Sequence, residues 1–229
     1  MNDINAEIKE LLVRYSEEDY KKFSSKLLPE SEVICGVRIP TLRNIAKDIA
    51  EGDWKSYLSH ACDDTFEEVM LQGLTIGYVK AEPSEIIDAL KNFIPKIKNW
   101  SVCDSSVMGL KAVKKHPDIF WEFIQPYLND ENEYFVRFAL VFILAYYVNE
   151  KYLKKIFNIL DAFSNDGYYA KTAAAWTVSV CYVKFPNETY EYLLNSHLDE
   201  FTYSKSIQKI IESYRVNSEN KKMLRELKR

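Results

Sequence analysis

Five segments of this chain open in a similar way at nearly the same interval. They begin at Phe66 (FEEVMLQGL), Asn99 (NWSVCDSSV), Tyr134 (YFVRFALVF), Tyr168 (YYAKTAAAW) and Tyr203 (YSKSIQKII), 33, 35, 34 and 35 residues apart. Each reads as the start of a helix. From Phe66 to Lys80, the residues Val69, Met70, Gly73, Leu74 and Gly77 recur at three- and four-residue steps, the period of an amphipathic helix. Tyr134 to Tyr147 is apolar nearly all round, which predicts deep burial. Another long helix is expected from Tyr168 to Val183, ending before Pro186. A second helical stretch follows each opening, at Pro83 to Phe93, His116 to Leu128, Lys151 to Phe163 and Asn187 to Ser196. Pro83 and Pro117 suit first turns, where no backbone N–H is needed, and Pro95 closes the helix before it. No stretch alternates with period two for long enough to force a strand.

Two antiparallel helices recurring every 34 to 45 residues or so are the signature of an α-solenoid. The small and aromatic positions of a tetratricopeptide are missing, so a degenerate HEAT-like array fits better. The expected fold is therefore all-α: a single curved domain of antiparallel helical hairpins with a concave face. Residues 1–60 read as an N-terminal cap region, 61–216 as the repeats and 217–229 as a C-terminal basic helix. Composition agrees. A chain of 229 residues can bury a core, and only 6 glycines and 7 prolines argue against a turn-dense β-sandwich.

A formal charge of −4 excludes a protein that coats nucleic acid through bulk positive charge. The charge is unevenly spread. Residues 1–100 hold 13 basic and 18 acidic side chains, a net of −5, whereas residues 101–229 hold 17 and 16, a net of +1. The stretch from Lys209 to Arg229 carries a net of +4. The C-terminal half is thus the better candidate for meeting a polyanion. The N-terminus, MNDINAEIKE, has no basic and apolar signal pattern, and no apolar run reaches membrane-spanning length. A cytoplasmic monomer without membrane contact is expected. Cys35, Cys62, Cys103 and Cys181 form no CxxC and read as buried free thiols. His60, His116 and His197 are scattered, so no metal is expected, and no Gly-rich loop calls for a nucleotide cofactor. No nucleophile elbow supports a serine hydrolase.

Four residues attract a functional reading. Trp100 and Asp104 are four apart, a spacing that shares one helix face. Asp104 also reads as a helix cap, because Cys103-Asp104-Ser105-Ser106 suits a break between two short helices. Arg137 lies inside the apolar Tyr134–Leu140 stretch and must find an anion or the surface. A salt bridge to a neighbouring repeat and a bound phosphate both answer that need. Trp176 follows Ala173-Ala174-Ala175, small residues that suggest close packing on one side with the indole projecting from it. Phase counting puts Trp100, Asp104 and Trp176 on a shared face but leaves Arg137 off it.

Several blocks resemble the bacterial HEAT-like DNA alkylation-repair proteins, the AlkD-like DNA glycosylases. They are Gly36-Val37-Arg38-Ile39-Pro40-Thr41-Leu42-Arg43, Trp100 to Asp104 with Ser105, the helix around Arg137, Ala173 to Trp176, and Ser213-Tyr214-Arg215-Val216. The resemblance runs from about residue 5 to the C-terminus. It implies excision of cationic alkylated bases, such as N3-methyladenine and N7-methylguanine, from duplex DNA without base flipping, leaving an abasic site and using no cofactor. By the same resemblance Asp104, Trp100, Trp176 and Arg137 form the site; Lys171, Lys205 and Lys209 of neighbouring repeats are further candidates for the phosphate backbone. Active members often carry an aromatic residue before the matched tryptophan and an acidic one after it; here those positions are Asn99 and Ser101. A noncatalytic DNA-binding member and a protein-interaction scaffold are the competing readings.

Overall fold

The computed structural model describes residues 4–30 and 32–227. Among them are fourteen α-helices and no strand, as the periodicity predicts. The chain runs through α1 (Ile4–Arg14), α2 (Glu18–Ser25), α3 (Ile39–Glu51), α4 (Trp54–His60), α5 (Phe66–Tyr78), α6 (Pro83–Phe93) and α7 (Trp100–Val107). It continues through α8 (Pro117–Ile124), α9 (Glu133–Tyr146), α10 (Glu150–Asp161), α11 (Tyr168–Lys184), α12 (Pro186–Asn195), α13 (Glu200–Glu212) and α14 (Ser218–Glu226). Short 3₁₀ turns follow α6, α7 and α8. The openings read from sequence at Phe66, Asn99, Tyr134, Tyr168 and Tyr203 fall within three residues of the starts of α5, α7, α9, α11 and α13. Helix α14 lies within the stretch 217–229 read from sequence as a C-terminal basic helix. Lys228 and Arg229 at its end, and Met1 to Asp3 at the other terminus, lie outside the described residues. Among the described residues no helix is long and apolar enough to cross a membrane.

The helices gather into two compact units, residues 1–120 and 121–229. In the first, α3 packs on α5 and α5 on α7, while α4 and α6 fold back against α3 and α5. In the second, α9 packs on α11 and α11 on α13, while α12 and α14 fold back against α11 and α13. Each unit is therefore a stack of helical hairpins. The middle helices are buried nearly all round. In α5 the residues Met70, Leu71 and Leu74 are buried, and in α9 every residue from Val136 to Leu144 is. Each Val, Leu, Ile, Phe or Met side chain among them contributes about 1.5–3 kcal/mol on leaving water.

Close approach in the first stack depends on glycine. A Cβ on Gly73 of α5 would lie 1.9 Å from Ser106 Oγ of α7, and one on Gly77 would lie 2.9 Å from the carbonyl oxygen of Gly109. Glycines at these two positions let α5 seat against α7 and the turn after it. That seating carries the residues of α7 with it.

A buried carboxylate organises the entry to α3. Glu67 is fully buried on α5 and accepts from three backbone N–H groups, those of Cys35 (2.8 Å), Gly36 (2.7 Å) and Val37 (3.1 Å). Gly36 adopts φ +96°, where a side chain would be strained, and a Cβ there would meet Lys21 and the Glu17 carbonyl at 2.8 Å. This accounts for the glycine that opens the Gly36–Arg43 block. Glu67→Ala would orphan three N–H donors and is expected to destabilise the fold by about 3 kcal/mol or more. Glu67→Gln, which keeps one acceptor oxygen, should cost less. The urea midpoints of the two variants measure the difference.

Candidate active site

Helix α7 is set by its cap. Asn99, buried at 2% exposure, accepts from the Val102 N–H at 2.9 Å and donates through Nδ2 to Glu32 at 2.8 Å. The helix then runs unbroken from Trp100 to Val107. Capping of a second short helix by Asp104, weighed from sequence, is thus overturned: Asp104 lies mid-helix and Asn99 is the cap. An asparagine immediately before the apolar run was the available signal. Val102, Cys103, Ser106 and Val107 are buried, leaving Trp100, Ser101, Asp104 and Ser105 half-buried along the opposite stripe. The Trp100 indole N–H donates to the Leu27 carbonyl at 3.2 Å, which anchors the ring from the segment after α2. Sequence reasoning had no means to name Glu32 or Leu27, because each lies about seventy residues away in the chain. Asn99, the residue before Trp100, is thus the capping residue of α7.

The second unit holds Arg137, Lys171, Trp176, Lys205 and Lys209. Arg137 is 6% exposed on α9, and its Nη1 donates to the Tyr169 carbonyl (3.0 Å) and the Thr172 hydroxyl (3.3 Å) of α11. One guanidinium nitrogen thus finds oxygens in the next repeat. Glu133, four residues earlier on α9, accepts from the Tyr169 N–H at 2.8 Å, and the Tyr134 and Tyr169 rings stack 5.3 Å apart. Together these hold the first turn of α11 to α9. Seven residues on from Tyr169, Trp176 is half-buried, whereas Ala173, Ala174 and Ala175 are wholly buried.

Lys171 sits between carboxylates, 2.8 Å from Asp166 and 3.5 Å from Asp199. The Asp166 hydrogen bond holds its ammonium pKa above the ordinary value. Lys205 and Lys209 lie half-buried on α13, and Lys205 donates to Gln208 at 3.1 Å.

Little in the described residues suggests a metal site. Cys62, Asp64 and Glu68 bring their ligand atoms within 4.8 Å of one another. The Lys9 ammonium already lies 3.2 Å from Asp64 and 4.0 Å from Glu68, and Glu68 is committed to the Thr65 capping box. All four cysteines are free thiols. Cys103 and Cys181 are buried, while Cys35 and Cys62 are only half-buried, a correction to the uniform burial expected. Burial pushes the Cys181 thiol up to about 12, so it is inert at neutral pH.

The sequence matches the family model described as DNA alkylation repair enzyme over residues 8–210, nearly the whole chain. The chain belongs to the DNA alkylation repair enzyme family. That description makes the family's role DNA repair and its members enzymes. No curated protein sequence matches closely enough to add a relative. The match covers α7, α9, α11 and most of α13, and so every candidate site residue, while the Ser213–Val216 block lies beyond it.

Two outcomes are expected in this family member. Asn99→Ala should destabilise by about 1–2 kcal/mol through the lost cap and the stranded Glu32, measured by thermal melting. Asp199 caps α13, accepting from the Phe201 N–H at 3.1 Å. Burial lifts its pKa, but hydrogen bonding from Thr202 and the charge of Lys171 outweigh that and hold it below its ordinary 3.8. Its contribution is therefore fully present above the ordinary value and lost as pH falls through the lowered one. Stability measured from pH 6 down to pH 2 should fall less steeply in Asp199→Asn than in the wild type.

Proposed function

We propose that this protein is a monofunctional DNA glycosylase that excises cationic alkylated bases, such as N3-methyladenine and N7-methylguanine, from duplex DNA. The observation that carries the reading is α7. Within a chain of the DNA alkylation repair enzyme family, a capped helix holds an indole and a carboxylate four residues apart on one partly open face. A cationic base is already a good leaving group, so no strong general acid is needed. Cleavage of the C1′–N bond sends its electron pair to the base, which leaves neutral, and the sugar becomes oxocarbenium-like. Asp104 stabilises that cation electrostatically and positions the water that adds at C1′; the water's proton passes to the carboxylate or to solvent. The indole faces of Trp100 and Trp176 attract positive charge on the sugar.

In this reading Arg137 holds a phosphate near the lesion, and Lys171, Lys205 and Lys209 contact the backbone. The Lys171 contact competes with Asp166 and Asp199. No cofactor takes part, and the lesion is held from the backbone side without flipping. The product is an abasic site. Residues 1–229 act in it as one repeat domain.

Purified protein should release N7-methylguanine from methylated duplex DNA in single-turnover assays. Asp104→Asn should slow release about 100-fold or more while duplex binding is kept. If the wild type binds methylated duplex but releases nothing, the noncatalytic DNA-binding reading replaces this one.

A further inference from the structure

The C-terminal ends of α3 and α5 and the turn after α7 come together in the first unit around an open cleft of about 550 Å³. Its lining includes Lys47, Lys80 and Lys111, the rings of Trp54 and Tyr78, and one carboxylate, Glu51. Lys47 is in the penultimate turn of α3, Lys80 follows α5, and Lys111 opens the 3₁₀ turn after α7. Three successive elements of the stack thus contribute one lysine each. The Lys47 and Lys111 ammonium groups approach the same ring, 5.5 Å and 5.1 Å from the Tyr78 centroid. All three lysines are exposed, and none is within ion-pair distance of a carboxylate among the described residues.

Two lysines also share a ring at Tyr152, where Lys151 and Lys155 lie 5.0 Å and 5.6 Å from its centroid, but other cations of the first unit are held by acids. Lys9, Lys55, Lys91, Lys96 and Arg38 of the same unit each sit against a carboxylate. Here two like charges lie over one aromatic ring, whose attraction for an exposed cation is small. Helix C-termini draw cations to this end of the stack, which accounts for their gathering. It does not account for two ammonium groups converging on one ring with a cavity beside them. The arrangement suits an anion. Because the lysines come from successive elements, their charge is drawn out along the stack, which matches a chain of phosphates better than one small anion. Lysine meets a phosphate as a point charge without the geometric demand of a guanidinium pair.

We infer that the Lys47–Lys80–Lys111 cleft binds the phosphodiester backbone of duplex DNA, adding a contact surface in the first unit. This rests on the DNA-repair reading, and deepens it by placing backbone contacts in the half of the chain with the acidic excess. Tyr78 spaces the two ammonium groups, and Glu51 opposes the ligand.

The test is fluorescence anisotropy with a labelled, undamaged 20-base-pair duplex, titrated at several salt concentrations. The proteins compared are the wild type, a Lys47→Ala/Lys80→Ala/Lys111→Ala triple variant, its arginine counterpart and Glu51→Gln. Each phosphate contact contributes about 0.9 to the slope of log K against log salt. The alanine variant should lose roughly 2–3 of that slope and bind about tenfold more weakly, with an unchanged circular-dichroism melt. The arginine variant should keep the slope, and Glu51→Gln should bind more tightly than the wild type. An alanine variant with wild-type affinity and slope overturns the inference, as does a wild type that binds no duplex. Base release is assayed in parallel so that the two ideas fail separately. Release by a wild type whose binding ignores the three lysines leaves the glycosylase reading standing alone. Lysine-dependent binding without release leaves the cleft standing and removes the glycosylase.

Discussion

The constraint on which this structure rests is the need to satisfy helix ends and loop backbones that no strand among the described residues pairs. Each α-helix leaves N–H groups at one end and carbonyls at the other without partners of their own. In this protein many of them are met by side chains one hairpin away, at a sequence separation close to the repeat. Glu67 takes the N–H groups of residues 35–37, and Glu133 that of Tyr169. Arg137 donates to the Tyr169 carbonyl, Lys184 to Val148, and Asn165 to Asp130. Asp161 accepts from the His197 N–H. Buried, such bonds are costly to leave unmade. Within each unit they lock neighbouring hairpins in one register, which packing of apolar faces alone would leave freer to slide.

The candidate site inherits its order from these bonds. Trp100 and Asp104 are presented as they are because Asn99 starts α7 at one residue, Glu32 and Leu27 tie its first turn from outside, and the glycines of α5 let it seat closely. In the second unit the first turn of α11, which leads to Trp176, is held to α9 by Glu133 and Arg137 together. A single helix turn thus receives an acid at its N–H and a base at its carbonyl. Arg137, the cation in an apolar helix that demanded explanation, is part of the framework that positions α11.

Charge teaches a related lesson. Counting along the chain gives the first hundred residues an acidic excess. In space many of those acids are paired, capping helix starts or holding lysines, while three lysines at the C-terminal ends of the stack are not. Conversely Lys171, in the more basic half, is enclosed by two carboxylates. Net charge describes a segment's field at a distance. What a ligand meets close up is set by which charges are already neutralised, and that is a matter of contact.

Much of the architecture was legible in the order of residues. Apolar residues at three- and four-residue steps, prolines at helix starts and a spacing of about 34 residues specified the helical hairpins from Phe66 onward and most of their starts, because these depend on local periodicity and backbone chemistry. The same local rules placed Trp100 and Asp104 on one helix face, and the order of blocks pointed to the DNA alkylation repair enzyme family. They left open a helix break capped by Asp104, since Asp104 and Asn99 both have capping chemistry and only the full helix, packed on α5, chooses between them. They said nothing of Glu32, Leu27, Glu67 or the ring shared by Lys47 and Lys111. Those pairings join residues some 30 to 70 positions apart, and only the tertiary stacking of the hairpins decides which of them meet.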